Sequence, residues 1–154
     1  MKHLTEASAK LMEHVLFVLN HSMELKQDGV DPMVPFAVVV KGEDKTMKAF
    51  AGDTPEYADK MFEKTIREEN PDFVVYAKDS YLTQEGKKYD AVLIRAYDRA
   101  DTEIYMIGQR FRPKTPSEPF EQLGNPGFLG TTPNQFTTTS GNAEEMKKKP
   151  WWKF

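Results

Sequence analysis

Three strand-like segments follow one another between residues 73 and 112, and only a few residues separate each from the next. They cover residues 73–82, 89–98 and 102–112, and each is rich in β-branched and aromatic side chains. Connections this short join neighbouring antiparallel strands, because a parallel pair needs a crossover of about a dozen residues or more. The pattern therefore predicts a three-stranded antiparallel meander.

An amphipathic helix and a hairpin are predicted before the meander. When residues 4–26 are wound at about 100° per residue, their apolar side chains form one stripe, and Asp28-Gly29 ends the helix. The apolar run 36–40 and residues 46–51 flank a glycine-containing turn, which is typical of a β-hairpin.

A second helix is predicted between the hairpin and the meander. Pro55 suits its first turn, and Asn70-Pro71 ends it. The element order is then helix, strand, strand, helix and three strands, which predicts an α+β domain with a five-stranded antiparallel sheet and both helices on one face. Over residues 4–112 this order resembles that of roadblock-type and other profilin-like scaffolds, in topology alone. The resemblance implies a regulatory or assembly role.

Beyond Pro113 the composition becomes that of a loop, rich in proline, glycine and threonine. We therefore expect residues 1–113 to form the globular domain and residues 114–154 to form an irregular tail. Both tryptophans of the chain lie at the end of this tail, at Trp151 and Trp152. Side chains this large need a surface to cover them or a partner to contact.

The meander predicts such a surface. Both alternating sets of side chains on its last two strands are partly apolar, whereas a sheet covered by helices on one face should be polar on the other. The second face then requires cover from the tail, from a second copy of the chain or from another molecule. The simplest account makes the aromatic terminus an intramolecular clasp, with recruitment of a partner as the alternative. The predicted interaction residues are Tyr89, Leu93, Tyr97, Tyr105, Ile107, Phe111, Trp151, Trp152 and Phe154.

Composition argues against several classes of partner. Residues 71–114 carry eight positive and seven negative charges, too even a balance for a nucleic-acid surface, and cross-strand pairing of Arg and Lys with Asp and Glu is the ordinary explanation. No apolar stretch approaches the ~20 residues of a membrane span. The chain contains no cysteine, which excludes thiol catalysis and Cys-zinc sites. We expect a cytoplasmic protein that binds no nucleic acid and does not insert stably into membranes.

Patterns for catalysis and metal binding are weak. His3, His14 and His21 fall near one line of the first helix, but seven residues rise ~10 Å, and a helix-borne chelate uses neighbours three or four apart. Asp90 and Asp98 lie on one strand about 27 Å apart, so they cannot act together. Neither a glycine-rich phosphate loop nor a nucleophile elbow is recognisable. The sequence therefore predicts no enzyme activity, no cofactor and no metal.

The predicted function is a non-enzymatic protein–protein interaction or regulatory module. Its partner is another protein or a second copy of the chain, bound through the open sheet face, the tail or both. The alternative is a small-molecule binding module with a pocket between sheet and tail, which a cavity with convergent polar groups would favour. An enzyme would require a buried Asp90 or Glu103 beside a second titratable group.

Overall fold

The structure of the protein is a computed structural model that describes residues 3–52 and 54–136. It is an α+β domain with two helices and one open antiparallel sheet, which confirms the predicted class. After a 3-10 turn (Leu4–Glu6), the elements are α1 (Ala9–Gln27), β1 (Phe36–Lys41), β2 (Asp44–Ala49), α2 (Pro55–Glu69), β3 (Phe73–Gln84), β4 (Lys87–Asp98), β5 (Glu103–Arg112) and β6 (Glu121–Pro133).

The described strands form one sheet in the order β2-β1-β3-β4-β5-β6. The predicted hairpin is β1 with β2, and the predicted meander is β3, β4 and β5, all antiparallel to their neighbours. β1 also pairs with β3, so the chain returns through α2 from the edge of the sheet to its interior. The sheet has six strands and not five, and its order differs from that of profilin-like and roadblock-type scaffolds.

The sixth strand corrects the prediction of an irregular tail that starts at residue 114. β6 pairs with β5, with two irregularities along the pairing. Its glycines and two prolines are compatible with a strand because β6 lies at the edge of the sheet, where bulges and missing ladder donors are tolerated. Gly124 and Gly130 adopt φ values of 73° and 123°, which favour glycine. Composition alone therefore mistakes a bulged edge strand for a loop.

The two helices lie on opposite faces of the sheet, so the prediction of both on one face is wrong. α1 buries Leu11 and Val18 against one face, here called the α1 side. α2 buries Phe62 against the other, the α2 side, where its ring lies 5.3 Å from that of Tyr76. Successive residues of a strand point to opposite faces, and five of the six residues of β1 are buried. Such a strand needs cover on both faces.

α1 begins later than predicted because Ser8 caps it. The Ser8 Oγ accepts a hydrogen bond from the Leu11 N–H over 3.1 Å. The same hydroxyl donates to Asp98 Oδ2 over 3.3 Å, which ties the start of the helix to the end of β4. Among the described residues, neither helix combines the length and the apolar character that crossing a lipid bilayer requires.

Truncation tests the assignment of β6 to the sheet. A chain that ends at Pro113 loses β6 and the packing of Phe120 and Phe128 against the α1-side core. We expect its free energy of unfolding to fall by more than about 3 kcal/mol, the scale of one buried Phe removed. A chain that ends at Phe136 keeps all six strands and should melt cooperatively. Urea and thermal melts followed by circular dichroism measure both, and equal stability of the two chains would contradict the assignment.

Candidate functional site

The structure divides the predicted interaction residues between the two faces of the sheet. Tyr97 is buried on the α2 side, whereas Tyr105, Ile107 and Phe111 are buried on the α1 side. The register of β4 and β5 is the reason: Tyr105 lies opposite Ala96 and therefore shares its face, not that of the adjacent Tyr97. As a correction to the sequence-based set, these four side chains do not share an open face.

Tyr89 and Leu93 lie on the α2 side and are partly exposed. They are the members of the predicted set that the structure leaves accessible within the described ranges. Trp151, Trp152 and Phe154 lie outside the described residues, and so does the predicted clasp.

α2 covers only part of its side of the sheet. Beyond the helix, Leu93 of β4 lies opposite Gly108 of β5. A Cβ added to Gly108 would lie 2.8 Å from Leu82 Cδ1 and 3.1 Å from Leu129 Cδ1, so a side chain at this position would displace the ends of these leucines. Leu129 keeps 43% of its surface exposed, and an open groove of about 410 Å³ runs beside it. The arginine patch comprises this apolar floor and its cationic border: Leu82, Leu93, Met106, Gly108, Leu129, Arg95 and Arg110.

The two arginines of the patch lie over aromatic rings. The Arg95 guanidinium carbon is 4.6 Å from the centroid of Phe62, and that of Arg110 is 4.9 Å from the centroid of Tyr89. Neither side chain makes a hydrogen bond or an ion pair with any other described residue. Guanidinium groups carry five N–H donors, and the described residues leave those of Arg95 and Arg110 to water or to a bound molecule.

Burial shifts the pKa of Arg95. It lowers the pKa of the guanidinium from its usual value, and the nearby carboxylates of Asp59 and Glu63 act in the opposite direction. Desolvation of the cation by burial is the main physical cause of the lowered pKa. A carboxylate placed against Arg95 would raise its pKa again.

A second candidate site is a cavity of about 230 Å³ on the α1 side, at the C-terminal end of α1; it is called the Lys26 cavity. The Lys26 side chain is only 4% exposed, and its Nζ donates to Asp79 Oδ2 over 2.7 Å and to the Val30 carbonyl over 3.2 Å. Asp79 Oδ2 also accepts from the Met33 N–H over 2.7 Å. Asp79 Oδ1 is buried and has no hydrogen-bond partner among the described residues. Within the described residues, the pair thus leaves one buried carboxylate oxygen unsatisfied.

Two of the three histidines, His14 and His21, pack against aromatic rings. The ring of His14 lies 5.3 Å from that of Phe73, and the ring of His21 lies 5.2 Å from that of Phe36, while His3 is exposed. In the ranges that the structure describes, no group of three or more His, Cys, Asp or Glu residues is arranged to hold a metal ion. The site candidates are therefore the arginine patch and the Lys26 cavity.

Sequence reasoning misses both sites for different reasons. On the sequence alone, the arginines of the meander are assigned to cross-strand ion pairs. In the structure, Arg95 lies opposite Met106 and Arg110 lies opposite Ala91, and this strand register cannot be predicted from the sequence. The burial of Lys26 could be predicted from helical periodicity. It follows the buried Ser22 and Met23 of α1 by four and three residues, so it lies on the buried face of the helix.

Comparison of the chain with protein-family models, with curated proteins and with solved structures finds no match. Function must therefore be argued from the geometry of the two sites.

The stability of the protein is expected to fall as the pH falls through the ordinary pKa of histidine, 6.5. Burial, and to a smaller extent Lys45, lowers the pKa of His14, so the unfolded chain binds the proton more readily than the folded chain in this range. Unfolding by urea at pH 7.5 and at pH 5.5 measures the difference. His14→Gln should reduce it, and His3→Gln, at an exposed position, should not. An unchanged pH dependence in His14→Gln would refute this assignment.

Proposed function

We propose that this protein is a non-enzymatic, cytoplasmic interaction module that binds an acidic segment of a protein partner through the arginine patch. The observation that carries the proposal is the pair of arginines that make no hydrogen bond or ion pair with any other described residue. They border an apolar, partly exposed floor. A partner that presents carboxylates beside apolar side chains satisfies both features at once.

The described carboxylates that act on Arg95 already have other hydrogen-bond partners. Asp59 accepts hydrogen bonds from the Tyr76 hydroxyl and from Lys78 Nζ, both over 3.0 Å. Glu63 accepts from Gln135 Nε2 over 3.1 Å and lies 3.9 Å from Arg67. Arg95 is therefore held close to negative charge without being bonded to it, which leaves its donors available to a partner.

A protein partner fits the patch better than a nucleic acid. Residues 71–114, which include the patch arginines, have a net charge of +1 from eight positive and seven negative side chains. Phosphate backbones require a stronger positive field than this. Arginine and tyrosine next to leucine are instead residue types typical of a protein interface, where arginine and tyrosine contribute much of the binding energy, and each charge-assisted hydrogen bond contributes about 1.5–3 kcal/mol.

Small-molecule binding is a second candidate function, and the Lys26 cavity favours it. Lys26 and Asp79 converge there, and Pro113, directly after β5, forms part of its wall. The cavity and the arginine patch lie on opposite sides of the sheet, so one chain can use both.

Photo-crosslinking tests the proposal whatever the identity of the partner. A photoreactive phenylalanine analogue at position 129 should give one discrete cross-linked species in an extract of the source organism. The double variant Arg95→Glu with Arg110→Glu should abolish it, because charge reversal repels an acidic segment. Lys10→Glu, an exposed charge reversal on α1, should leave it intact.

Two further results decide the interpretation. The same analogue at Leu16, which is 52% exposed on α1, should not give that species. A cross-link at position 129 that persists in the double variant, with its melting curve unchanged, would overturn the role of the arginines.

A further inference from the structure

We propose that the Lys26 cavity binds a small organic cation that carries several N–H donors, such as a guanidinium compound or a diamine. This inference concerns the opposite side of the sheet from the arginine patch and is independent of the function proposed for that patch. It follows from the hydrogen-bond acceptors, the charge and the size of the cavity.

Two carboxylates that the described residues leave partly unsatisfied, Asp79 and Asp90, line the cavity. Asp79 Oδ1 is buried without a hydrogen-bond partner. The Asp90 side chain, which also lines the cavity, makes no hydrogen bond or ion pair with any described residue. Asp79 lies opposite Val92, two residues from Asp90 on the same face of β4, so the two carboxylates are diagonal neighbours. A ligand in the cavity can approach Asp90 and the accessible part of the Asp79 side chain, which is 27% exposed, whereas the shielded Oδ1 itself is out of its reach.

Lys26 pairs with Asp79 and leaves Asp90 without a bonded counter-charge among the described residues. Its ammonium group donates to Asp79 Oδ2 and to the Val30 carbonyl, and it lies 3.8 Å from Asp31 Oδ1. The charged residues around the cavity are Lys26, Lys114, Asp31, Asp79 and Asp90, which sum to two positive and three negative charges, a net of −1. The electrostatics therefore favour a cation over an anion.

The size and the aromatic wall restrict the cation further. A volume of 230 Å³ is that of about eight water molecules, which suits a ligand smaller than a typical drug. Phe111 offers its ring to the cavity and already has the Lys26 Nζ at 5.3 Å from its centroid. Tyr81, at the rim, is 58% exposed. Aromatic faces beside carboxylates are a recognised environment for organic cations.

Agmatine, which has a guanidinium group and an amine, is the probe for this site. Titration of the full-length protein, followed by amide NMR signals, should show saturable shifts at residues 79–81 and at Asp90. Putrescine should shift the same signals, and succinate should shift none of them. Equal shifts with succinate, or no saturation with agmatine up to about 10 mM, would overturn the proposal.

Asp90→Asn is the decisive variant, because the Asp90 side chain makes no hydrogen bond or ion pair within the described ranges whose loss would unfold the protein. It should weaken agmatine binding about tenfold, through loss of one charge-assisted hydrogen bond. Asp44→Asn, an exposed change on β2, is the matched control and should bind as the unmodified chain does. Unchanged affinity in Asp90→Asn would contradict the assignment of Asp90. Asp79→Asn is less informative, since it also disturbs the bonds to Lys26 and Met33.

Discussion

Burial of both faces of the central strands is the constraint on which the rest of the fold depends. β1 buries five of its six residues, and neighbouring β3 buries Val74 and Val75 in opposite directions. A strand that is apolar on both sides must be covered on both sides. One helix on each face provides this cover, and the crossover from β2 to β3 places α2 on the face that α1 does not occupy.

Helix length then determines where the sheet stays open. β3 and β4 each contain 12 residues and extend roughly 40 Å, whereas α2 has 15 residues and spans roughly 22 Å. α2 cannot cover the whole length of these strands, and the arginine patch occupies part of what remains. α1 is longer, with 19 residues, and the Lys26 cavity forms where its last turn ends. Both candidate sites thus lie where helical cover stops, and both contain polar groups that lack partners among the described residues.

The sequence predicts the local elements well and their arrangement less well. Turn residues and periodicity give both helices, the β1–β2 hairpin and the β3–β5 meander. The placement of α2 on the second face escapes prediction, although the unbroken apolar run Phe36–Val40 is a signal of two-sided burial. β6 escapes it because glycine and proline are typical of loops, and only edge position and bulges make them compatible with pairing.

The candidate sites are less predictable still, because they depend on register. Whether Tyr105 faces α1 or α2 depends on a single residue of offset in the connection between β4 and β5. The same offset decides which side chains lie opposite Arg95 and Arg110. Lys26 alone is identifiable, from its place in the buried stripe of α1. The sequence shows the sign of the charge on each side chain, but which residue pairs with it depends on the tertiary structure.

The claim that the arginine patch is open to a partner is tested most directly by methyl NMR. The methyl signals of Leu82, Leu93, Met106 and Leu129 are compared in the full-length chain and in a chain that ends at Phe136, with Val15 and Val18 of the α1-side core as internal references. The account predicts the same chemical shifts in both chains, since the described residues leave these side chains accessible. Large shifts at the patch methyls with unchanged core methyls would show that residues 137–154 cover the patch, and would contradict the account.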